Sequence, residues 1–202
     1  MLKIAVLVSG SGSNLQSIID EIEEGKLNCS IECVIADKTQ AFGLERARKH
    51  NIAAYGLSKK ELKDNLSDGI LKIIDGKVDL IVLAGFLSIL KGNIIEKFKD
   101  KIINIHPSLI PSFCGNGMYG IRVHEAAIKY GVRVSGCTVH FVDEGTDTGH
   151  IILQKAVAVK CEDSAEDLQK RILVQEHIAL PEAIGLIADG RVSIVDGKVI
   201  IK

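Results

Sequence analysis

Residues 2–24, LKIAVLVSGSGSNLQSIIDEIEE, decide the fold class. Leu2–Val8 is an apolar run broken only by Lys3, the pattern of a strand covered on both faces. Leu15, Ile18, Ile19 and Ile22 recur at i, i+3, i+4 and i+7, one apolar face of a helix that Gly25 can end. Ser9–Asn14 is the turn between them. The same alternation continues along the chain. Strands are predicted over 30–36, 53–57, 78–84 and 101–106. A helix is predicted over 42–49, and another opens with Ser58 and Glu61 as a capping box and ends near Gly76. This order implies a mostly parallel sheet with helices on both faces. Right-handed crossovers then gather the strand C-terminal ends on one edge, where such folds bind ligands.

The pattern changes after residue 106. Residues 107–121 read as a long loop containing Pro111, Gly115, Gly117 and Gly120. A helix over 123–130 and strands over 132–142 and 151–159 follow. Residues 164–189 form a long helical stretch that Pro181 is placed to kink or split. The chain closes with a hairpin, 192–195 and 198–201, around Asp196-Gly197.

At 202 residues the chain is the size of one domain with a self-sufficient core. Lys plus Arg number 25 and Asp plus Glu 26, a net charge of −1, which excludes nucleic-acid binding through bulk positive charge. The five cysteines are scattered. Cys29 and Cys33 are four apart, and no second pair completes a zinc site. They read as reduced thiols of a cytosolic protein. MLKIAVLV is too short for a secretory apolar core, and no apolar run approaches the roughly 18 residues that span a bilayer. A soluble, cytoplasmic protein is expected.

Three stretches carry chemistry. Ser9-Gly10-Ser11-Gly12-Ser13-Asn14 joins a buried strand to a helix N-terminus, where unpaired N–H groups and the positive dipole end favour phosphate. It is not a Walker A loop, and Leu15 stands where a dinucleotide fingerprint has its third Gly. Asp37 could imitate the ribose-binding acid of that fingerprint; a plain capped turn is the alternative. Asn104 and His106 share one strand face at the strand's C-terminal end, a sensible pair for a developing oxyanion. A strand-ending His satisfied by nearby backbone is the alternative. Asp143-Glu144-Gly145-Thr146-Asp147-Thr148-Gly149 joins two strands, either as a solvated turn or as the source of a carboxylate for His106. His140 reads as structural, and His50, His124 and His150 have no metal spacing. Residues 21–24 and 59–63 read as solvated charged faces.

GSGSNLQSIID, ADKTQAFGLERAR, LAGFLSIL, NIHPSLIPSF, VHFVDEGTDTGHIILQ and RILVQEH, in this order, resemble the phosphoribosylglycinamide formyltransferases of the formyl-folate transferase family. The resemblance covers about residues 2–195. It implies a Rossmann-like three-layer fold with a mixed, antiparallel C-terminal portion. Residues 1–202 would form a single domain, with a phosphate-binding half to about 100 and a catalytic, folate-binding half beyond it. The implied reaction moves a formyl group from 10-formyltetrahydrofolate to 5-phosphoribosylglycinamide, without a metal. Carried over by motif, Asn104, His106 and Asp147 are the expected catalytic trio. Gly12, Ser13, Asn14, Pro107 and Glu176 are expected at the nucleotide. Phe86, Leu87, Ser88, Ile89, Leu90, Asn104, Val142 and Asp143 are expected at the folate, with Lys63 at its glutamate tail. The expected partners are small molecules alone, neither nucleic acid nor membrane, for a monomer or weak homodimer. Two departures stand out: Ser88 where many relatives carry Arg, and a lengthened loop, residues 113–121, with Cys114 in place of Pro.

Overall fold

The computed structural model describes residues 1–202. The opening run forms β1 (Leu2–Val8), followed by α1 (Ser13–Glu23), β2 (Cys29–Ala36), α2 (Phe42–Lys49) and β3 (Ala54–Gly56). Next come α3 (Lys59–Leu62), α4 (Leu66–Ile74), β4 (Leu80–Leu83), α5 (Asn93–Lys97) and β5 (Ile102–His106). The second half contains α6 (Ile121–Tyr130), β6 (Val134–Phe141), β7 (Ile151–Ala158) and α7 (Ala165–Ala188), then the hairpin β8 (Val192–Val195) and β9 (Lys198–Ile201). Seven strands form one sheet in the order β3-β2-β1-β4-β5-β6-β7. The first five are parallel; β6 runs antiparallel to β5, and β7 to β6.

The period of two along β1 separates two cores. Ile4, Val6 and Val8 pack with Leu15 and Ile18 of α1 and with Leu168, Ile172 and Ile184 of α7. Ala5 and Leu7 pack on the opposite face with Ile70 and Ile74 of α4 and Ile94 of α5. Each fully buried Ile or Leu contributes about 1.5–3 kcal/mol relative to exposure. A strand buried on both faces needs apolar residues at every position, which is why β1 shows no alternation. No helix is long and apolar enough to cross a membrane.

The predicted helix over 58–76 is broken. Ser58 Oγ accepts the Glu61 N–H at 3.3 Å, but Lys63 sits at φ +49° and a 3-10 turn separates α3 from α4. Only α4 has an apolar face to bury; α3 has no buried residue, so nothing holds the two in one ladder. Conversely, α7 runs unbroken through Pro181. Burial of Leu180, Pro181, Ala183 and Ile184 offsets the backbone hydrogen bond that proline cannot make. The strand predicted from residue 78 begins at Leu80, and α5 was not foreseen. Asp196 and Gly197 both have positive φ, +48° and +72°, as a two-residue I′ hairpin turn requires.

Backbone contact positions the first loop. Gly12 lies at φ +70°, and a Cβ there would meet Gly43 Cα at 2.7 Å; a Cβ on Gly43 would meet Val8 Cγ2 at 2.8 Å. Gly43→Ala is therefore expected to destabilise by about 1–3 kcal/mol, read as a lower urea midpoint at unchanged slope.

Candidate active site

β5 ends on the sheet's ligand-binding edge and carries Asn104 and His106 on one face, His106 buried. The β6–β7 connection returns Asp147 to the same place, at φ +59°. His106 Nδ1 lies 3.5 Å from Asp147 Oδ2. The other ring nitrogen, Nε2, lies 3.0 Å from the Phe113 carbonyl. That carbonyl can only accept, so Nε2 carries the proton in this contact. Gly115 N–H donates to Asp147 Oδ2 at 2.9 Å, so the lengthened loop touches both members of the pair through its backbone.

His140, read from the sequence as structural, belongs to the same cluster. In the β5–β6 ladder it stands directly opposite Asn104. Its Nδ1 is 2.7 Å from the Phe141 carbonyl and carries the proton there. Burial holds its pKa below the usual histidine range, outweighing that hydrogen bond and the Asp147 charge. The ring is then neutral, and Nε2 accepts from Asn104 Nδ2 at 3.2 Å. Asp147 Oδ1 lies 3.7 Å from the same Nε2. His140 thus turns the Asn104 carboxamide. Strand spacing shows which residues share a face, but the partner across the ladder depends on register.

On the other side of the site Asn14 Nδ2 donates to Glu176 Oε2 at 2.8 Å, joining α1 to α7. Burial raises the Glu176 pKa, and the Asn14 hydrogen bond works against that rise. One cavity of about 500 Å³ spans these groups. Ser13, Pro107, Asn104, His106, Asp147 and Glu176 line it. So do Phe86–Leu90 on one wall, with Val142 and Asp143 opposite. Asp143 Oδ1 holds its own turn, accepting from Thr148 Oγ1 at 2.6 Å and from Gly145 N–H at 3.0 Å. Of the predicted nucleotide residues, Gly12 and Asn14 do not line the cavity: Gly12 sits in the turn at positive φ, and Asn14 is buried and donates to Glu176.

Lys63 does not line the cavity. Its neighbour Asp64 pairs with Lys91 at 2.6 Å, which puts the 63–65 turn beside the end of the Phe86–Leu90 wall. Asp37 is also absent from the lining: it is buried and accepts from Ser88 Oγ, so it is not presented to a ribose. Sequence reasoning missed Met118, Tyr119, His124, Gln169 and Leu173 in the lining. Gln169, Leu173 and Glu176 are spaced i, i+4, i+7 on α7, a signal that was available. No group of three or more His, Cys, Asp or Glu side chains is placed to hold a metal ion.

A helix N-terminus beside a carboxylate, facing an Asn–His–Asp set across one cleft, is the arrangement of a group-transfer enzyme on a Rossmann-like sheet. Residues 2–184 match the formyl transferase family model. The chain is 41% identical to phosphoribosylglycinamide formyltransferase of Haemophilus influenzae, covering 97% of this chain and 92% of that one. It is 40% identical to the human trifunctional purine biosynthetic protein adenosine-3, covering 95% of this chain but only 19% of that much longer protein. The crystal structure of glycinamide ribonucleotide transformylase 1 from Symbiobacterium toebii superposes with a TM-score of 0.93 at 42% identity, covering 100% of this chain and 94% of that one. The chain belongs to the formyl transferase family, and within it to the phosphoribosylglycinamide formyltransferases.

His124 also faces the cavity. Burial, with the charge of His106, brings its pKa down to about 4 from 6.5. A depressed histidine contributes stability that is present above the unfolded value and is lost as pH falls through the folded one. Urea unfolding between pH 7 and pH 4 is therefore expected to show a larger loss for the wild type than for His124→Gln.

Proposed function

We propose that this chain transfers the formyl group of 10-formyltetrahydrofolate to the amino group of 5-phosphoribosylglycinamide, in de novo purine biosynthesis. The products are formylglycinamide ribonucleotide and tetrahydrofolate. The observation that carries this reading is the approach of His106 to Asp147, 3.5 Å, with Asn104 on the same strand face inside a cavity that also holds the α1 N-terminus. The names of the bacterial relative and of the structural neighbour support formyl transfer to the glycinamide ribonucleotide.

In this reading Gly12, Ser13 and Asn14 cradle the phosphate, and Glu176 accepts from the ribose hydroxyls. The Phe86–Leu90 wall and Val142–Asp143 flank the pterin, with Lys63 near the glutamate tail. The amine lone pair forms the new C–N bond, and the formyl carbonyl electrons move onto oxygen. The His106 Nε2–H and the Asn104 amide stabilise that oxyanion. Asp147 balances the positive charge on the imidazole and relays a proton from the attacking nitrogen towards N10. The C–N10 bond then breaks, and N10 leaves with the proton. We also read the protein as cytoplasmic, a monomer or weak homodimer acting on small molecules, in keeping with its five free thiols and net charge of −1.

The test is product absorbance from a 10-formyl donor, with and without the nucleotide acceptor. Turnover is expected only with both. Asp147→Asn is expected to cut kcat by about 10²–10⁴-fold, the usual contribution of a positioned acid–base group, while leaving nucleotide affinity nearly intact. Full turnover in that variant refutes the assignment. The Phe113 carbonyl must leave His106 Nε2 before that N–H can meet an oxyanion. Amide exchange over residues 113–121 is therefore expected to change when nucleotide and a folate analogue bind together.

A further inference from the structure

The Phe86–Leu90 wall has an unusual hydrogen-bond balance. Phe86, Ser88 and Leu90 are buried, while Leu87 and Ile89 face outward at 48% and 63% exposure. No backbone-to-backbone hydrogen bond involves Phe86–Leu90. Apart from the Leu87 N–H, these main-chain groups have no partner within the protein, so solvent or a ligand must meet them. Side-chain tethers hold the segment instead. Leu87 N–H donates to Ser9 Oγ at 2.8 Å, and Lys91 N–H donates to Ser67 Oγ at 3.1 Å. Between them, Ser88 Oγ donates to Asp37 Oδ2 at 2.5 Å.

Asp37 follows β2, whereas the wall follows β4, and β1 lies between them in the sheet. The Ser88–Asp37 bond therefore pulls the segment back across the end of β1. Asp37 is only 4% exposed, and its Oδ1 has no protein partner. Burying a carboxylate for one hydrogen bond is costly, and a neutral pair would serve a merely structural tie.

We propose that Asp37, acting through Ser88, is a positioning residue for the folate. It sets the spacing of the wall's free main-chain donors and acceptors so that they match the mixed donor–acceptor edge of a planar heteroaromatic ring. This deepens the folate reading of the same site and rests on it.

Asp37→Ala, Asp37→Asn, Ser88→Ala and the Asp37→Ala/Ser88→Ala double variant test it. Loss of a hydrogen bond to a charged group predicts a rise of about tenfold in the folate KM for Asp37→Ala, with the nucleotide KM unmoved. Asp37→Asn, which keeps an acceptor in the same place, restores part of the loss and covers the case of an unfolded alanine variant. The double variant is expected to be no worse than Ser88→Ala, because both substitutions break one bond. Equal rises in both KM values, or additive losses in the double variant, overturn the proposal. Amide exchange at Leu87, whose N–H is held by Ser9 Oγ, gives an independent readout in the ligand-free protein. It is expected to quicken in Asp37→Ala and to recover in Asp37→Asn. An unchanged rate there sinks the tether whatever the activity; a wild type without formyl transfer sinks the functional reading alone.

Discussion

The Asp147 carboxylate is the point on which the site's geometry depends. It faces two imidazoles, His106 at 3.5 Å and His140 at 3.7 Å, and accepts a backbone N–H from Gly115. These groups come from β5, β6 and the lengthened loop. Because β6 runs antiparallel to β5, its C-terminal end lies beside the start of β5, with Phe141 opposite Ile103, and the β6–β7 connection reaches back from there to place Asp147 beside His106. The turn is tight: a Cβ on Gly149 would meet the Phe141 carbonyl oxygen at 1.8 Å. Asp147 keeps a left-handed backbone conformation in the same turn, a strain the surrounding contacts must hold.

The cavity holds no permanently cationic side chain. No Lys or Arg lines it, whereas Asp143, Asp147 and Glu176 do. Attraction for an anion falls to the α1 N-terminus and to neutral donors. Burial keeps His124 and His140 neutral near pH 7, and His106 is the lining imidazole nearest Asp147, at 3.5 Å. The Asn14–Glu176 bond closes the other side of the site by linking the first helix to α7, elements 162 residues apart. The rigid sheet thus supplies fixed donors, while the wall and the loop present backbone groups that a ligand can engage.

Much of the architecture was legible because burial on both faces demands uninterrupted apolar runs. Leu2–Val8 and Phe42–Lys49 were read to the residue, and the Asp196-Gly197 hairpin turn was recognised from its two residues. Lys63 was different. Its positive φ interrupts a stretch whose composition favours helix, and composition holds no record of a single dihedral. Pro181 erred in the other direction: propensity argues for a break, and the burial around it prevails. His140 was read as structural, and what stayed hidden was its partner Asn104 across the ladder, which depends on register.

From residue order alone came the alternation of strands and helices, the phosphate-type turn, and the pairing of Asn104 with His106 on one face. Each follows from local sterics and a period of two or 3.6 residues, information carried within a few neighbours. Only the folded chain decided that Asp147 reaches His106, that His140 orients Asn104, that Asp37 serves Ser88 rather than a ribose, and that the loop backbone covers the pair. Those are contacts between distant segments, set by strand register and by which buried polar groups find partners. No local pattern encodes either.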